Sequence, residues 1–208
     1  MSAIGNLFII SAPSGAGKTS LVKALLQRDP QICVSVSHTT RAMRPGEVDG
    51  GDYNFVDQQT FANLVTQAQM LEHATVFGNS YGTSRAWVED AIAQGKDVIL
   101  EIDWQGRDQV LKLLPKAVAI TILPPSKAAL QARLSGRGTD SDEVIAQRMA
   151  EAESEIRQYD ASHYLLINDD FDLALDELAA IFVSERSQTT RQSIKHAQLL
   201  ADLLSNDG

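Results

Sequence analysis

The apolar positions of this chain fall into four short runs with no polar face. Leu7–Ser11 leads into Gly15, Gly17 and Lys18, after which Leu21, Val22, Leu25 and Leu26 recur at helical spacing. That order predicts a strand, a glycine turn and a helix. A second run, 98–102, follows a helix expected over 86–94 that Gly95 ends. A third, Val118–Leu123, stops at Pro124 and Pro125, and a fourth, Tyr164–Ile167, stops at Asn168, Asp169 and Asp170. Strands apolar on both sides that alternate with helices form a parallel sheet covered on each face, which places the chain in the α/β class.

Two segments break the rhythm. Residues 35–84 carry scattered glycines, Pro45 and β-branched residues, with one helix expected over 58–69 behind an Asp57 cap. Residues 126–163 read as almost wholly helical and highly charged, interrupted at Gly136, Arg137 and Gly138. Both are expected as insertions at one edge of the sheet, after strands that point toward the glycine turn. A length of 208 residues then suits a single domain with inserted subdomains.

Charge narrows the ligand class. A formal net charge of −9 repels a polyphosphate backbone and argues against nucleic acid as a partner. Positive charge is nevertheless concentrated locally, in Arg41 with Arg44, in Arg133 with Arg137, and in Arg148. Small anions fit that pattern. Cys33 is the single cysteine and reads as a small buried apolar residue, leaving no disulfide framework and no cysteine zinc site. The four histidines lack metal-ligand spacing, and Trp87 and Trp104 read as core. No run approaches the ~20 apolar residues of a membrane span and the N-terminus has no signal-like pattern, so no membrane partner and a cytoplasmic location are expected.

The candidate chemistry starts at residues 12–19, Ala12, Pro13, Ser14, Gly15, Ala16, Gly17, Lys18 and Thr19, a P-loop with alanine for its first glycine. Gly15 and Gly17 allow a backbone that turns successive N–H groups toward phosphate oxygens, and the following helix adds its positive end. Lys18 supplies a mobile charge to the β- and γ-phosphates, and the Thr19 hydroxyl can ligate Mg²⁺. A P-loop alone leaves switch, motor and kinase open.

Residues 35–55, SVSHTTRAMRPGEVDGGDYNF, closely resemble the monophosphate-binding segment of guanylate kinases. Five further stretches resemble that family in order: LEHATVFGNSYGTS from Leu71, VILEIDWQG from Val98, RLSGRGTDS from Arg133, the helix with Arg148, and INDD from Ile167. The resemblance reaches about Arg186. Met43 stands where the family often has proline, and Ala12 is the other departure.

The resemblance implies one P-loop NTPase-type domain over 1–208. Its core spans 1–34, 85–125 and 164–208, with a mixed α+β GMP-binding insert over 35–84 and a helical lid over 126–163. The implied reaction is ATP + GMP ⇌ ADP + GDP with Mg²⁺, with dGMP as a further acceptor, in purine nucleotide metabolism. It needs no general base, because a phosphate with a second pKa of ~6 is already a dianion near neutrality. Lys18, Arg41, Arg137 and Arg148 carry the charge stabilisation. Arg41 and Arg44, which would otherwise be solvated surface charges, fork around the GMP phosphate with Tyr53 and Tyr81. Glu72 accepts from guanine N1–H and its 2-amino group, with Ser37 and Thr83 completing the pocket. Glu101 and Asp103 are assigned to the GMP site as well, with Asp103 reaching either the base or the metal's water shell. On the ATP side, Arg133 stacks against adenine, bordered by Asn168 and Asp169.

Two alternatives stand beside this reading: a kinase-like binding module in which the fold recognises a protein, and a monophosphate kinase for another base. Beyond the resemblance, Ile194, Ala197, Leu200, Ala201 and Leu204 form one apolar helix face, expected to pack on the core or on a second copy as a homo-oligomer.

Overall fold

The computed structural model describes residues 5–76, 78–136 and 142–205. Strand β1 (Leu7–Ser11) is buried along its whole length, and its alternating side chains feed two cores. Phe8 and Ile10 face Leu21, Val22 and Leu25 of α1 (Lys18–Arg28) and Leu178 and Phe182 of α7 (Phe171–Arg186). Leu7 and Ile9 face Val88 of α3 (Arg85–Ala93) and Val110 of α4 (Trp104–Leu113). Each such side chain contributes roughly 1.5–3 kcal/mol by leaving water.

The central sheet is parallel throughout, in the order β2 (Ile32–Val34), β7 (Asp97–Leu100), β1, β8 (Val118–Leu123), β9 (Tyr164–Ile167). With helices on both faces, this is the α/β architecture the apolar runs require. Arg186 at the end of α7 ties the sheet to the loop after α1, donating to Asp97 at 2.5 Å and Asp29 at 2.6 Å.

The segment over 35–84 forms a second sheet, ordered β4 (Asn54–Phe55), β3 (His38–Thr39), β6 (Asn79–Ser84), β5 (Met70–Val76), with α2 (Gln58–Thr66) beside it. Asp57 caps α2, its carboxylate accepting from the Thr60 amide at 2.6 Å. The register of β5 on β6 shifts between Met70 and Glu72. That bulge breaks the alternation of β5, so Leu71 and Glu72 are both buried although adjacent. The segment over 126–163 provides α5 (Lys127–Ser135) and α6 (Asp142–Ile156), which share a small core of Leu130, Leu134 and Ala152.

The structure corrects three expectations and adds one strand. β7 ends at Leu100 instead of residue 102, because Asp103 leaves the sheet to cap α4 through the Gly106 amide at 2.9 Å. β2 is an edge strand of three residues, too short to show as an apolar run. Trp87 is not core: it stands 40 % exposed on α3, and Trp104 is half-buried. The tail is two helices, α8 (Thr189–Lys195) and α9 (Ala197–Leu204), broken at His196, and α9 buries none of its residues. Leu200 and Leu204 of the expected face are 39 % and 80 % exposed, so along α9 this face does not pack on the core.

Candidate active site

The loop between β1 and α1 is held in shape by residues far along the chain. Gly15 and Gly17 take φ of +93° and +97°, the left-handed region that L side chains disfavour. Gly17 is doubly constrained: a Cβ there would meet the Asn168 amide nitrogen at 2.2 Å. Asn168 needs that space to donate to the Ala16 carbonyl at 2.7 Å. Arg133 closes the arrangement, donating to the Asn168 carbonyl at 2.9 Å and to that of Ala16 at 3.4 Å. Leu130 and Leu134 of α5 pack over Gly15 from the other side.

This loop floors a cavity of about 590 Å³. Pro13, Ser14, Gly15, Gly17, Lys18 and Thr19 line it, with Arg44, Tyr53, Glu101, Asp103 and Glu155 contributing from other elements. Ala12 belongs to the same lining. Glu155, on the last turn of α6, is half-buried, and loss of water pushes its carboxyl up to about 7 against the pull of the Lys18 ammonium.

A second cavity of about 300 Å³ brings the two inserted segments together: Arg41, Arg44 and Tyr81 from one, Arg148 and Glu151 from the other. Arg44 lines both cavities. Arg41 is stiffened from several sides. Its guanidinium lies 5.3 Å from the Tyr53 ring centre and 5.7 Å from that of Phe55, and it donates twice to Glu47, at 2.7 and 3.0 Å. Tyr53 and Tyr81 meet edge to face at 6.0 Å.

Glu72 is 4 % exposed and accepts from the Thr83 hydroxyl at 2.6 Å. Burial pushes its carboxyl up to about 7, opposed by the Thr83 hydrogen bond and reinforced by the Asp103 charge. Its other oxygen lies against the first turn of α4, where a Cβ on Gly106 would come within 2.7 Å.

A family model described as guanylate kinase matches residues 4–185. The chain belongs to the guanylate kinase family. A guanylate kinase from Saccharophagus degradans is 56 % identical over 205 residues, which cover 99 % of this chain and 100 % of that protein. One from Vibrio cholerae is 53 % identical over 203 residues, covering 97 % and 98 %. The crystal structure of guanylate kinase from Anaplasma phagocytophilum is 34 % identical, with a TM-score of 0.76 over 92 % of this chain and 91 % of that one. The α/β fold is therefore that of the guanylate kinase family.

Against that family pattern, the expected residues separate into groups. Lys18, Thr19, Glu101 and Asp103 share the larger cavity, and Arg41, Arg44, Tyr81 and Arg148 line the smaller one. Glu72 and Thr83 form a buried pair, Ser37 is half-buried on the same sheet's approach, and Asp169 is exposed beyond Asn168. Arg137 lies outside the described residues. Sequence reasoning missed Glu47, whose partners Arg41 and Arg44 are close along the chain, and Glu155 and Arg107, whose surroundings come from distant elements. The spacing of Arg41, Arg44 and Glu47, three apart each, was the one local signal available.

Proposed function

We propose that this chain transfers the γ-phosphoryl group of ATP to GMP, giving ADP and GDP, by direct in-line transfer between two bound nucleotides. The observation that carries this reading is the pair of adjoining cavities that share Arg44. One is floored by a P-loop and the other is ringed by three arginines from two separate inserts. A triphosphate on the loop and a monophosphate among the arginines would meet end to end, with Lys18, Arg41 and Arg148 around the transferring group. Arg137, which lies outside the described residues, is assigned to the same charge cluster by the family pattern. The segments over 35–84 and 126–163 serve as GMP-binding insert and lid around a core of 1–34, 85–125 and 164–208.

The Thr19 hydroxyl and the carboxylates of Glu101 and Asp103 face one cavity and are hard oxygen donors, a set that fits Mg²⁺. When bound with ATP, the ion supplies charge neutralisation to the phosphates. Ser37, Glu72 and Thr83 read the guanine base, and dGMP, which carries the same base and phosphate, is a further acceptor. Among the described residues no helix is long and apolar enough to cross a membrane, and we assign the protein to the cytoplasm. The exposed apolar face of α9 is assigned to contact with a second copy.

Paired kinetics and calorimetry on Lys18→Ala test this reading. ADP formation should be abolished while GMP binding persists, because Lys18 contacts the donor phosphates alone. Near-normal turnover would remove the ATP-site assignment.

A further inference from the structure

The Arg107 guanidinium side chain is 1 % exposed. Burying a guanidinium is costly unless every donor finds a partner. Its neighbour Asp108, 40 % exposed, accepts from Nε at 3.0 Å and Nη2 at 2.9 Å. Nη1 reaches much farther along the chain, to the Gln158 carbonyl at 2.7 Å and the Ser162 hydroxyl at 3.3 Å. Those two acceptors flank the 3-10 turn Tyr159–Ala161, where the chain leaves α6 and returns to β9. Ser162 also hydrogen-bonds Thr121 on β8 at 2.7 Å, and Thr121 lies 3.4 Å from Ser11, the last residue of β1 before the P-loop.

The helix that carries Arg107 carries the base site as well. Asp103 caps α4, and Gly106 packs directly under the Glu72 carboxylate. Gln158 in turn lies one turn beyond Glu155, the α6 residue that lines the P-loop cavity. One buried guanidinium therefore joins the base-site helix to the root of the helix bearing Arg148 and Glu155. The Gln158 carbonyl that Arg107 holds therefore lies at the root of α6.

We propose that Arg107 is a positioning residue for phosphoryl transfer, acting through Gln158 to fix the root of the lid relative to the guanine site. This rests on the reading of 126–163 as the lid. Removal of Arg107 should leave GMP binding intact and degrade the alignment of α6, and with it turnover.

The test uses the full chain with Arg107→Met, which keeps length but leaves the Gln158 carbonyl without its donor, and Arg107→Lys, which keeps one donor. Met should lower kcat about tenfold or more, since a charge-assisted bond is lost, and Lys should recover part of that loss. GMP affinity measured without ATP should stay within about twofold of the parent. Amide exchange over 156–163 should accelerate in the Met variant. A purely structural arginine would lower the melting temperature and leave kcat per folded molecule alone. Should the Met variant not fold, the Lys variant carries the test through its own drop in kcat. Parental kcat in either folded variant overturns the proposal, as does a GMP affinity that collapses together with kcat. Failure of the kinase reading is separable: it would show as absence of GMP-dependent ADP formation in the parent protein itself.

Discussion

Glu47 grips Arg41 through both carboxylate oxygens, at 2.7 and 3.0 Å, and also accepts from the Arg44 amide at 2.8 Å. Arg41 holds the Glu47 carboxyl below its ordinary range, with the Arg44 amide adding to the effect. The Arg41 Nη1 group additionally donates to the Ala42 carbonyl at 2.8 Å. The Arg41 side chain also hydrogen-bonds Tyr81, so Glu47, Ala42 and Tyr81 together fix the orientation of the guanidinium. Glu47 thus acts as a buttress that presents one edge of Arg41 to the cavity.

Glu47→Ala should weaken GMP binding by about fivefold to tenfold through lost orientation of Arg41, with guanosine binding unchanged because it lacks the phosphate. Calorimetry with both ligands reads this directly. Tighter GMP binding in the variant would instead make Glu47 a competitor for the arginine.

Asn168 supports the P-loop by donating to Ala16 inside the protein, at 2.7 Å from a buried side chain. Asn168→Asp keeps the shape but turns a donor into an acceptor facing a carbonyl. It should cost about 1–3 kcal/mol of stability and raise KM for ATP about tenfold or more, with GMP affinity untouched. Unchanged ATP kinetics in a folded variant would mean the loop holds its shape without this contact.

Glu72 links stability to pH. A carboxyl that burial raises from the ordinary 4.5 to about 7 binds a proton more tightly folded than unfolded. Its favourable contribution is complete below pH 4.5 and is lost as pH rises through about 7. Above that range, Glu72→Gln should be more stable than the parent in the absence of nucleotide, by on the order of 3 kcal/mol at most. Melting temperatures from pH 5 to 8 should diverge in favour of the variant. Parallel curves would show that Glu72 is not strained by burial.

The legible parts of this protein were those written in consecutive residues. The P-loop is eight adjacent positions, and β1, β8 and β9 are continuous apolar runs bounded by turn residues, so local pattern and tertiary position coincide. Glu72 was legible only through family resemblance, because a bulge at Leu71 buries it against the alternation its strand would otherwise follow. Arg107 looked like an ordinary helical charge, since its decisive partner lies 51 residues away at Gln158. The C-terminal tail misled for the opposite reason: its periodicity predicts one helix, yet the chain turns at His196 and exposes the leucines. Periodicity marks an apolar face and does not say what covers it.

The most direct test of the account is ADP formation with ATP and each of GMP, dGMP, AMP, CMP and UMP, for the parent and for Glu72→Gln. A site whose buried carboxylate must meet two donors should prefer GMP over AMP by roughly 10⁴ or more in kcat/KM. Glu72→Gln should lose at least about a hundredfold with GMP, because one acceptor becomes an unpaired donor. Turnover that is equal for GMP and AMP, or a Glu72→Gln variant that handles GMP like the parent, would contradict the assignment of this site to guanine.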